Sequence, residues 1–165
     1  MILIRSLSSR CVALIAAVIF VISAAAAPIS GENGVKETVA RYNQGLAAAS
    51  RSGNVAILEP LATEKIVSKT FLWIHSWQDS NLYMKAELTK LDFNYVNIEK
   101  NTSTARTREE WIYTYYDAQT KKDAMPKTQA VYEMKYTLFS HQGKWIISDT
   151  KILSEKHIPL EKLRK

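Results

Sequence analysis

The chain holds one cysteine in 165 residues, Cys11, and it lies in an N-terminal apolar run. Without that run the chain has no disulfide, no thiolate nucleophile and no cysteine-ligated metal, so its core alone must hold it together. Histidine is almost as scarce. His75, His141 and His157 have no spacing that gathers them at one metal ion, and no metal or cofactor is expected. No glycine-rich phosphate loop, Gly-x-Ser-x-Gly elbow or zinc-protease motif occurs, which removes the common signatures of nucleotide, acyl-transfer and metalloprotease chemistry. Basic residues are not interleaved with aromatics on one exposed face as single-stranded nucleic-acid binding requires, so no nucleic-acid partner is expected.

What the first residues do contain is an address. Arg5 and Arg10 stand without any acid, an apolar run follows from Cys11 to Ala27, and Ala24, Ala25 and Ala26 precede Pro28. This is the layout of a secretory signal over residues 1–26, with cleavage expected after Ala26 because Pro28 directly after the bond would make a poor substrate. The competing reading is a retained membrane anchor. The uncharged run from Cys11 to Gly31 approaches the roughly 18 to 20 residues that span a bilayer, although Pro28 and Gly31 shorten any helix there. Removing residues 1–26 leaves 20 basic and 16 acidic residues, a net charge of +4. About 139 residues remain, one domain large enough to bury a core.

The apolar pattern divides this remainder in two. After a linker over residues 27–33, Val35, Val39, Tyr42, Leu46 and Ala49 fall at alternating spacings of four and three, one helix with one buried stripe that Gly53 ends. Pro60 stands where a short helix could begin, and Thr63 is the expected N-cap of a longer one. On that longer helix Ile66, Thr70, Trp73 and Trp77 form one line and Val67, Phe71 and Ile74 the next, a broad face that needs covering. From Ala86 the period changes to two. Four strands are expected: one with Leu91, Phe93 and Tyr95 together, one with Trp111, Tyr113 and Tyr115, one with Ala130, Tyr132, Met134, Tyr136 and Leu138, and one with Trp145, Ile147 and Asp149. Asn101-Thr102-Ser103 and His141-Gln142-Gly143-Lys144 turn the chain, and residues 117–127 make the longest loop. One aromatic face and one mixed face describe an antiparallel sheet buried on one side. The expected domain covers residues 34–154, followed by a basic tail over 155–165.

With these elements in view, the helix VKETVARYNQGLAAA, the segment GNVAILEPLATEKIV and the strands EEWIYTYYD, YEMKYTLF and GKWIISD resemble the nuclear-transport-factor-2-like superfamily. The likeness is to its IMS-type domains, which occur in membrane-tethered chloroplast-division proteins and in exported or anchored bacterial proteins. It runs from Val35 to Leu153. The resemblance implies an α+β fold in which helices pack on a strongly curved antiparallel sheet, a cone enclosing a pocket. It also implies either isomerase-like and dehydratase-like enzymes or, for the IMS-type relatives, binding and dimerisation modules without catalysis.

Chemistry on such a fold needs a desolvated carboxylate or histidine and a donor for developing negative charge. Asp149 shares parity with Trp145 and Ile147, which aims it inward, but a solvated position near the strand end is the commoner fate of such an acid. Glu109 shares parity with Trp111, while Glu110 points away towards Arg108 or Lys135; adjacent carboxylates on one strand cannot form a dyad. Cross-strand ion pairing is the simpler expectation for both. Tyr42, Trp73, Trp77, Trp111, Tyr113, Tyr115, Tyr132, Tyr136 and Trp145 are the candidate pocket lining, unless they simply fill the core. The favoured expectation is an exported, non-catalytic domain binding a small apolar ligand or a protein partner. A homodimer through Ile112, Val131 and Ile146 on the outer sheet face is expected with it. The alternatives are an isomerase or hydrolyase using Asp149 or Glu109 with Tyr113 or Tyr132, and a membrane-anchored scaffold of a secretion or division assembly.

Overall fold

The structure is a computed structural model, and it describes residues 31–160. The signal segment lies outside the described residues, as does the end of the basic tail. Helix α1 spans Gly31–Ser52. Its apolar stripe is the one that the spacing sets, with Val35, Val39 and Ala49 fully buried. Its outer side carries the ion pairs Glu32–Lys36 (2.6 Å) and Glu37–Arg41 (3.9 Å), each with the acid one turn towards the N-terminus. Gly53 closes the helix in a left-handed conformation (φ +73°), its N–H donating to the Ala49 carbonyl at 2.7 Å.

A 3₁₀ turn follows at Val55–Leu58, ahead of Pro60 rather than after it. Asn54 sets its place, because its side-chain oxygen accepts from the Ala56 N–H at 3.1 Å and so nucleates the turn early. Helix α2 spans Glu64–Asp79 with Thr63 at the N-cap position, although the Thr63 hydroxyl makes no capping bond. Ile66, Thr70 and Ile74 are its buried residues. Phe71, expected on the inner face, is 42% exposed and stacks instead on His75, with ring centroids 3.7 Å apart. The stripe is narrower than the hydrophobic pattern because Phe71 lies one position beyond the covered line.

Four strands make one antiparallel sheet in the order β1-β2-β3-β4, with the two helices packed on it and no closure into a barrel. They run over Leu82–Glu99 (β1), Thr102–Asp117 (β2), Thr128–His141 (β3) and Lys144–Pro159 (β4). Strand β4 continues through Glu155–Pro159, residues that the sequence assigns to the tail. The β3–β4 connection places Gln142 (φ +50°) and Gly143 (φ +76°) in the left-handed region, the tight-hairpin geometry expected of that turn. Along β2, Ala105, Thr107, Glu109, Trp111 and Tyr113 are buried, and along β3 Ala130, Tyr136 and Leu138, so both strands keep the predicted alternation.

The edge strands do not keep it. The register steps between Leu88 and Lys90 and between Phe93 and Tyr95 on β1, and β4 has matching steps at Ser148 and Leu153, opposite Thr137/Leu138 and Glu133/Met134. Each extra residue reverses the parity beyond it and bends its strand. Tyr95, expected beside Phe93, is consequently 49% exposed. Both edges are partly covered from the helical layer. The Thr63 N–H donates to the Ile147 carbonyl and the Ile147 N–H to the Leu61 carbonyl, each at 2.9 Å, while the Ser50 hydroxyl accepts from the Ala86 N–H at 3.1 Å.

The packed interior forms two clusters. One gathers Val35, Val39, Leu58, Ile66, Ala105, Leu138, Trp145 and Ile147; the other gathers Ala47, Met84, Ala86, Trp111, Tyr113 and Ala130. Leu138 is fully buried in the first. Leu138→Ala is expected to lower the unfolding free energy by about 2–5 kcal/mol, read from urea unfolding of the two chains.

Candidate functional site

A polar group centred on Glu109 links the two clusters, through Tyr136 of the first and Trp111 of the second. Strand alternation turns Thr107, Glu109 and Trp111 inward from β2 and sends Arg108 and Glu110 outward, where Arg108 approaches Glu110 (3.8 Å) and Glu133 (3.7 Å). Glu109 is 3% exposed. Its Oε1 accepts from Asn43 Nδ2 of α1 (3.0 Å), the Thr107 hydroxyl (2.7 Å) and the Tyr136 hydroxyl of β3 (2.7 Å). Its Oε2 accepts from Trp111 Nε1 at 3.0 Å. Four neutral donors from three elements therefore meet one acid, and among the described residues no cation pairs with it. Glu110 does form an ion pair, but with Arg108 of its own strand rather than across the sheet, and the pairing expected of Glu109 fails because β2 turns it inward to four neutral donors.

Glu109 borders a cavity of about 420 Å³. Around it stand Tyr42, Asn43 and Leu46 of α1, Lys69, Thr70 and Trp73 of α2, Trp111 and Tyr113 of β2, and Tyr132, Met134 and Tyr136 of β3. Thr150, Lys151 and Ile152 of β4 complete it. Six of the nine aromatic candidates border this space; Trp77, Tyr115 and Trp145 do not. Trp77 and Tyr115 lie against each other with ring centroids 4.7 Å apart, and Trp145 belongs to the first core cluster. A second hollow of about 540 Å³ lies on the outer sheet face between Asn94, Tyr95, Arg106, Glu133, Leu153 and Ser154, with no buried group at its base.

Asp149 takes the solvated position that is the commoner fate of such an acid, and the parity that aims it inward is corrected. Its side chain is 56% exposed and lies 3.8 Å from Lys65. The extra residue Ser148 sets Asp149 opposite the outward Thr137 and brings Thr150 opposite Tyr136, so Thr150 rather than Asp149 borders the cavity. A bulge of this kind leaves no mark in an alternating pattern, which is why parity failed there. Asn43 is the residue that the sequence did not single out. It interrupts the apolar stripe of α1 at a fully buried position, and an amide in line with Val35 and Val39 at spacings of four was the available signal.

His75 donates to or accepts from no cavity group; its Nδ1 lies 3.1 Å from the Phe71 carbonyl. Among the described residues no cluster of acids and histidines could hold a metal ion.

The tyrosines are neutral groups here. Burial, then the adjacent Glu109, pushes the Tyr136 hydroxyl well above the ordinary value of 10.0. Burial raises Tyr113 too, aided by Tyr132, and raises Tyr42 against the opposing effect of its hydrogen bond with Thr70. With such walls the cavity offers apolar ring faces, hydroxyl tips and one carboxyl group.

No family model matches the chain, and no curated protein matches it. Solved structures do. The intermembrane-space region of the chloroplast protein ARC6 superposes with a TM-score of 0.66 at 14% identity, covering 77% of this chain and 99% of that one. The Kfla4162 protein from Kribbella flavida gives a TM-score of 0.56 at 11% identity, covering 82% of this chain and all of that one. At such identities the likeness is one of fold: two helices on an open four-stranded antiparallel sheet.

Two outcomes are expected of Tyr136→Phe. At neutral pH the loss of the bond to Glu109 lowers stability by about 1.5–3 kcal/mol, measured by urea unfolding. The buried tyrosines hold their protons beyond the pH at which unfolded ones release them, so their contribution is complete below about pH 10 and is lost as pH rises above it. Melting temperature should be flat towards that limit and fall above it, less steeply in Tyr136→Phe.

Proposed function

We propose that this chain is an exported, non-catalytic binding domain of the nuclear-transport-factor-2-like type, and that its aromatic cavity receives a small, largely apolar ligand. The observation that carries the reading is the cavity itself. Its volume of about 420 Å³ falls within the roughly 300–1,000 Å³ common to small-molecule sites, and Asn43, Trp111 and Tyr136 of its wall converge on Glu109. The lone acid favours binding over proton transfer. Glu109 is already held by four donors, and the second acid that an acid–base pair would need, Asp149, lies outside the cavity. Export rests on the arginine-flanked apolar run and alanine triplet at the N-terminus. Among the described residues no helix is long and apolar enough to cross a membrane. Pairing of two copies through the outer sheet face, where Ile112, Val131 and Ile146 are half-buried, belongs to the same proposal.

The test uses the neutral dye N-phenyl-1-naphthylamine. Saturable one-to-one binding is expected, read from dye fluorescence and from quenching of Trp73 and Trp111. Leu46 borders the cavity, and Leu46→Trp should fill it and weaken binding at least about tenfold while leaving the circular dichroism spectrum unchanged. Binding that never saturates, or that is equally tight in Leu46→Trp, would count against the cavity as the site.

A further inference from the structure

The nature of the ligand can be read from what Glu109 lacks. An ionised carboxylate offers about four acceptor positions on two oxygens. Oε1 uses three partners and Oε2 one, so the spare capacity lies on Oε2, in a side chain that is 3% exposed and borders the cavity. The partners are an amide, two hydroxyls and an indole, and none carries charge. Removing a carboxylate from water without a counter-charge is costly, and one that arrives with a ligand offsets that cost.

The walls next to Glu109 suit a particular kind of cation. Trp111 and Tyr113 present nearly parallel rings, 10° apart in orientation with centroids at 6.3 Å, and Trp73 and Tyr132 border the same space. Aromatic faces attract organic cations through their negative quadrupole, tryptophan most strongly. A bare metal ion would find one carboxylate and no further acid or imidazole ligand among the described residues. Lys69 and Lys151 also border the cavity, but both are solvent-exposed, where screening weakens their repulsion.

We infer that the cavity recognises an organic ammonium group, paired with the unused side of Glu109 Oε2 and lying against the aromatic wall of Trp73, Trp111 and Tyr113, with the apolar remainder of the ligand against the other walls. This rests on the proposed binding function and adds the charge of the ligand to it.

A matched series separates the two claims. Phenethylammonium, its neutral analogue 2-phenylethanol and the anion phenylacetate are titrated into the purified chain at neutral pH, read by tryptophan fluorescence and calorimetry. The ammonium is expected to bind at least about tenfold more tightly than the alcohol and the anion most weakly, with Glu109→Gln reducing the ammonium to the affinity of the alcohol. Equal affinity for ammonium and alcohol would overturn the charge preference and leave the cavity reading intact. Failure of all three while N-phenyl-1-naphthylamine still binds would overturn it in the same way. Failure of the dye as well would overturn both. If Glu109→Gln does not fold, the series on the unaltered chain still decides, because it needs no substitution.

Discussion

The contact between Asn43 and Glu109 is the constraint on which the rest of the structure leans. It joins residues 66 positions apart, one from α1 and one from the middle of β2, and through the same oxygen it draws in Tyr136 of β3. Apolar packing can slide by a fraction of a turn at modest cost, whereas a buried polar group left without its partner loses about 1–3 kcal/mol. The hydrogen bonds therefore fix how α1 sits over the sheet, and the two hydrophobic clusters fill in on either side of that fixed point. Such a network can specify one packing arrangement where an all-apolar core would accept several.

A cavity follows from the same arrangement. The register steps in β1 and β4 bend the edge strands while β2 and β3 keep their alternation, so the sheet carries its irregularity at its margins. On β4 the Ser148 step has a chemical consequence, since it exchanges a charged aspartate for the neutral Thr150 beside the cavity. Glu109 is left there as a solitary acid among rings. A solitary buried acid suits recognition of a complementary charge better than it suits catalysis by a pair.

Much of this was legible in the residues. The four-three spacing from Val35 to Ala49 gave α1, the period of two gave the inner faces of β2 and β3, and the order of elements gave the α+β architecture that ARC6's intermembrane-space region shares. Three things were not legible. The bulges at Ser148 and Asn94 carry no composition signal, so Asp149 and Tyr95 were set on the wrong face. Asn54 captured the 3₁₀ turn before Pro60 through a local side-chain bond that weighs more than proline's preference for a first helical position. The role of Glu109 also depended on a long-range partner, Asn43, and alternation along one strand can say that a residue points inward but not what awaits it.

The most direct test of this account is a double-mutant cycle on Asn43→Ala and Tyr136→Phe, with unfolding free energies from urea titration. Both residues donate to the same carboxylate oxygen, and the Tyr136 hydroxyl also lies 3.2 Å from Asn43 Oδ1, so within this shared network their effects should be coupled by about 0.5–3 kcal/mol. Strict additivity, within about 0.3 kcal/mol, would show that Asn43 and Tyr136 act independently and that Glu109 is not the shared anchor of helix and sheet.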